Sequence, residues 1–80
     1  MNNFEQRKKI LVVEDEGIIS LALSKTLERF GYDVTAVETG EGAVEIALGD
    51  NGISLVLMDI DLGKGIDGTE TARMILTERD

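Results

Sequence analysis

Three short apolar runs constrain this chain more than any other feature: KILVV (Lys9 to Val13), DVTAV (Asp33 to Val37) and ISLVLM (Ile53 to Met58). Each is too short for a helix, and the first and third are nearly continuous in apolar residues, as strands covered on both faces are. A helical stretch follows each one. In GIISLALSKTLERF (Gly17 to Phe30), Ile19, Leu23, Leu27 and Phe30 form a stripe that Ile18 and Ala22 widen. Gly31 suits the left-handed position just past a helix end. Thr39 can cap a second helix over Gly40 to Gly49, with Ala43, Val44, Ala47 and Leu48 apolar. Asp67 can cap a third, Gly68 to Arg79, with Ala72, Ile75 and Leu76 facing inward and Glu70 completing a capping-box pair. The order β-α-β-α-β-α predicts an α/β fold with parallel strands joined by right-handed crossovers. Placing the first strand between the other two gives a doubly wound sheet of order 2-1-3.

In such a sheet the winding direction reverses between the first and third strands, and ligands bind outside the carboxyl ends of the strands there. Acids stand at that place. Glu14, Asp15 and Glu16 follow the first strand, and Asp59 follows the third. Adjacent strands lie ~5 Å apart, so Glu14, Asp15 and Asp59 are expected to meet in one crevice. Grouped carboxylates call for a cation. Magnesium, which takes oxygen ligands and usually only one or two carboxylates beside water and phosphate, is the expected cofactor. The backbone carbonyl of Asp61 is a candidate further ligand. A plainer reading is that acids at strand ends are solvated or cap the next helix.

Composition narrows the alternatives. Eighty residues make one small domain. Without cysteine or histidine, a thiolate or imidazole metal site is impossible. The formal net charge of -8 argues against direct nucleic-acid binding. No apolar run is long enough to span a membrane, and MNNFEQRKKI carries no signal-peptide core, so a cytoplasmic protein is expected.

ILVVEDE followed by a helix, and LVLMDI followed by a later DG, resemble the receiver domain of two-component response regulators, a flavodoxin-like (CheY-like) fold. The resemblance covers nearly the whole chain. It implies that Asp59 is the phosphoacceptor, that Glu14 and Asp15 are the acidic pair holding magnesium, and that Asp61 supplies a carbonyl ligand. It implies a sensor histidine kinase or phosphotransfer protein as partner. The role it implies is that of a phosphoacceptor that helps its own phosphorylation more than of an enzyme that turns over. Departures are visible. Glu14 stands where Asp is commoner, and LGKG (Leu62 to Gly65) replaces the usual Met-Pro after the acceptor. Family receivers have five strands and five helices, so residues 1–80 match the N-terminal two-thirds of one domain, without the fourth and fifth strands and helices. The Ser or Thr and the Lys that meet the phosphate belong to the part not matched. Lys64 reads as a solvated loop charge, and slow or no phosphorylation is expected of these residues alone.

Three rival readings remain open at this point. Asp59 and Asp61 also fit an aspartyl-nucleophile phosphatase of the haloacid-dehalogenase type, although Gly63 stands where Thr or Val is wanted and Glu14 and Asp15 are left without a role. Asp59, Asp61, Asp67 and Glu70 fall at the first, third, ninth and twelfth positions of a calcium loop, with Lys64 where its glycine belongs. A phosphorylation-independent interaction module is the third. Finally, the third strand is expected to be a sheet edge without lysine, proline or bulge, and the first helix to carry a wider apolar stripe than one sheet contact needs. Both features predict self-association through the third strand.

Overall fold

A computed structural model describes residues 7–59, 62–63 and 65–79. The elements are β1 (Lys9–Val13), α1 (Gly17–Arg29), β2 (Asp33–Val37), α2 (Gly40–Gly49), β3 (Ile53–Met58) and α3 (Gly68–Arg79). They form one parallel sheet of order β2-β1-β3, as expected from the alternation of apolar runs and helical stretches. α1 ends one residue before the predicted boundary. Phe30 is its C-cap, and Gly31, at φ 95°, donates to Glu28 O while Tyr32 donates to Leu27 O. That pair of bonds closes the helix end as a left-handed glycine allows.

β1 is the central strand and is buried from Ile10 to Val13. Its side chains alternate. Leu11 and Val13 join Ala43 and Ala47 of α2, Ile75 of α3, Ile53 and Leu62 in one core. Ile10 and Val12 point to the opposite face, where α1 packs across β1 and β2. Helices on both faces make the sheet doubly wound.

Several expectations fail in detail. α1 lies over β1 and β2, leaving β3 at the rim. Two-sided burial holds for β1 but not for β3, of which only Ile53 is fully buried and Leu55 is half exposed. The α1 stripe is open as well, as its excess width predicts. Ile18 is 85% and Phe30 77% exposed, and no residue of α1 is buried. On α3, Ile75 is buried but Leu76 is exposed, while Thr71, not foreseen, is fully buried. The edge strand is also less regular than expected. Lys9 pairs with Ile53 and Ile10 with Leu55, so Ser54 is an extra residue at a bulge.

The helix starts follow the sequence closely. Thr39 accepts from Gly42 N at 3.0 Å, and Asp67 accepts from Glu70 N at 2.8 Å. Glu70 does not return the bond as a capping box would. Its carboxylate is engaged by Arg73, whose Nε donates to Oε1 at 3.2 Å and whose Nη2 donates to Oε2.

Candidate functional site

The carboxyl ends of β1 and β3 are held level by backbone bonds that extend the sheet ladder. Asp59 N donates to Val13 O at 3.0 Å, and Glu14 N donates to Val37 O at 3.1 Å. Because Val13 is in register with Met58, the next residue of each strand, Glu14 and Asp59, emerges at the same height. Asp15 follows on the turn into α1.

The three side chains converge. Glu14, Asp15 and Asp59 each offer a carboxylate oxygen, and these oxygens all lie within 4.8 Å of one another. Glu14 and Asp59 are half-buried, and Asp15 is exposed. The Glu14 carboxylate is steadied from below, since its Oε2 accepts from Glu16 N at 3.1 Å. Three negative charges at this spacing repel by about 1 kcal/mol per pair in water, and by roughly 4 kcal/mol at an effective dielectric constant of ~20. A dication shared among them removes that repulsion. The donor set is oxygen only, which fits magnesium and gives softer metals no nitrogen or sulfur ligand. A cavity of about 580 Å³ opens on the three acids, with Gly63 on its rim and Ile19 and Leu23 of α1 along one wall.

Asp61, the fourth predicted ligand, lies outside the described residues, as does Lys64. The calcium-loop reading loses its members. Among the described residues the cluster comprises Glu14, Asp15 and Asp59, while Asp67 caps α3 and Glu70 is paired with Arg73. The hydrogen bond from Arg73, and then its charge, hold the Glu70 carboxyl below the usual value of 4.5.

Sequence reasoning missed how the loop after Asp59 is anchored. Leu62 is buried at 2% exposure within the core. Gly63, at φ 79°, lies so near Asp15 that a Cβ there would stand 2.7 Å from Oδ2. A lone leucine between an acid and a glycine pair was the available signal for the buried anchor. The glycine contact had none, because it joins residues distant in sequence.

A sequence profile described as "Response regulator receiver domain" matches residues 10–80. The chain is 39% identical over 72 residues to the alkaline phosphatase synthesis transcriptional regulatory protein PhoP of Bacillus subtilis, covering 90% of this chain and 29% of PhoP. To the response regulator receiver protein CpdR of Brucella abortus it is 41% identical over 66 residues, covering 82% of this chain and 53% of CpdR. Among solved structures, the response regulator protein TrrA of Thermotoga maritima, in complex with Mg(2+)-BeF, superposes with a TM-score of 0.84 at 38% identity. That match covers 90% of this chain and 61% of the TrrA chain. The chain thus spans less than two thirds of each of these relatives.

Proposed function

The chain belongs to the response regulator receiver domain family of two-component signalling, and from that premise we propose that it accepts a phosphoryl group on Asp59. The observation that carries the reading is the meeting of Glu14, Asp15 and Asp59 at the carboxyl edge of the sheet. The roles follow from position. Asp59, half-buried at the end of β3, presents an oxygen to the open cavity. That oxygen bonds to the phosphorus of a donor phosphohistidine as the P–N bond breaks. The electron pair stays on the imidazole, which takes up a proton, and Asp59 becomes an acyl phosphate. Glu14 and Asp15 are the carboxylates that would hold magnesium beside it, with the Asp61 carbonyl as a further proposed ligand. When bound, the metal supplies positive charge against the repulsion between Asp59 and the incoming phosphoryl group.

A sensor histidine kinase or phosphotransfer protein is the proposed partner, and the cytoplasm the proposed compartment. No helix of the described residues is long and apolar enough to cross a membrane. We assign residues 1–80 to a single receiver unit corresponding to the N-terminal part of the family domain, with self-association through β3 as a further property. Family membership and the place of Glu14 and Asp15 beside Asp59 favour this reading over a phosphatase, in which those two acids would be idle.

The test has two arms. Magnesium titration should show binding that Asp15→Asn weakens by tenfold or more. A small phosphodonor with magnesium should add one base-labile phosphate, slowly, and Asp59→Asn should abolish it. Phosphate recovered on Ser54 or Thr69, or magnesium binding indifferent to Asp15→Asn, would falsify the assignment.

A further inference from the structure

We propose that Glu41 is a positioning residue for the Asp59 site, acting by clamping the loop that joins β3 to α3; the proposal rests on the function assigned above. Glu41 lies in the first turn of α2. Its Oε2 accepts from the backbone of Ile66 at 3.1 Å, across 25 residues of sequence. The same carboxylate presses on Gly65, where a Cβ would stand 2.5 and 2.6 Å from its two oxygens. Gly65, at φ 76°, tolerates that approach because it has no side chain.

The base on which Glu41 stands is closely packed. A Cβ on neighbouring Gly40 would meet Thr71 Oγ1 at 2.1 Å and Ile66 Cγ1 at 2.7 Å. The start of α2 is therefore wedged against the loop and the first turn of α3. Leu62 pins the near side of the loop in the core, and Glu41 pins the far side at Gly65 and Ile66. Between the two anchors lies Gly63, the residue whose backbone closes on the Asp15 carboxylate. Releasing the far anchor frees Gly63 to move away from Asp15 and loosens one carboxylate of the cation site.

A glutamate in the first turn also stabilises a helix through its charge alone. That role needs no contact with the loop and predicts no change at Gly63. The experiment uses the 80-residue chain as wild type, Glu41→Ala and Glu41→Gln. Amide resonances and hydrogen exchange of Ile66 and Gly63 are read without metal, and magnesium is then titrated. In Glu41→Ala, exchange at Ile66 should rise, the Gly63 amide should shift, and magnesium should bind about two- to tenfold more weakly, the range expected for one lost hydrogen bond. Glu41→Gln keeps an acceptor oxygen and should restore most of each effect. An unmoved Gly63 amide in Glu41→Ala, or Glu41→Gln as damaging as Glu41→Ala, overturns the proposal. If the wild type binds no magnesium the assigned function falls, and the metal-free Gly63 signal still decides the case for Glu41.

Discussion

Gly63 shows how much of a small site can depend on a missing side chain. Its φ of 79° lies in the left-handed region, and its Cα faces the Asp15 carboxylate. Gly63→Ala should cost about 1–2 kcal/mol through the backbone alone. The new methyl must also displace Asp15 Oδ2, the end of an exposed side chain, so magnesium binding should weaken as stability falls. Denaturant unfolding and magnesium titration of the same variant measure the two effects. Unchanged affinity would mean that the Asp15 carboxylate can swing aside and still hold the metal. The acids themselves were legible in the sequence because Glu14 and Asp59 directly follow apolar runs and Asp15 comes next to Glu14. The Gly63–Asp15 contact was not, since nothing local to either residue encodes it.

Helix starts and ends follow short-range rules, and those rules worked here. Thr39, Gly31 and Asp67 occupy the places their chemistry predicts. The exception is Glu70, which bonds Arg73, one turn along α3, instead of closing a capping box. Its pairing sets a pH dependence. The folded-state carboxyl titrates below its ordinary value of 4.5, chiefly through the Arg73 hydrogen bond. The stabilisation is therefore complete above the unfolded value and is lost as pH falls through the folded one. Both side chains are open to solvent, so the effect is small and screened by salt. Acid titration of α3 helicity should show a late loss at low ionic strength that Glu70→Gln lacks. Identical acid profiles for the two proteins would count against the pairing in solution.

Across the molecule, two apolar surfaces remain open among the described residues. One is the α1 stripe, with Ile18 and Phe30 at the solvent. The other is β3, with Leu55 half exposed beside a groove of about 410 Å³ between the strand and α3. A sheet edge of this kind templates pairing with another chain, and the bulge at Ser54 protects only its start. A net charge of -8 opposes the approach of a second copy. Self-association of the 80-residue chain should therefore appear at micromolar concentration and strengthen with added salt, as screening shortens the reach of the repulsion. Sedimentation at two salt concentrations measures this. A monodisperse species with a concentration-independent unfolding transition would show that the core suffices without a partner.

The order of elements, their bounds to within a residue, the sheet order and the meeting of Glu14, Asp15 and Asp59 were all legible in the sequence alone. Each follows from a periodic or adjacent pattern: apolar runs, helix caps, and acids placed next to strand ends. Packing decided what the periodicity left open. The placement of α1 over β1 and β2 left β3 open, although that strand read as covered on both faces, whereas the open part of the α1 stripe was expected from its width. Thr71 and Leu62 became core residues because α2, α3 and the intervening loop close on one another. Glu41 reached Ile66, and Gly63 met Asp15, across gaps that no local pattern spans. A strand or a cap is specified by its neighbours in sequence, whereas a contact between a helix start and a distant loop exists only once the sheet has set both in place.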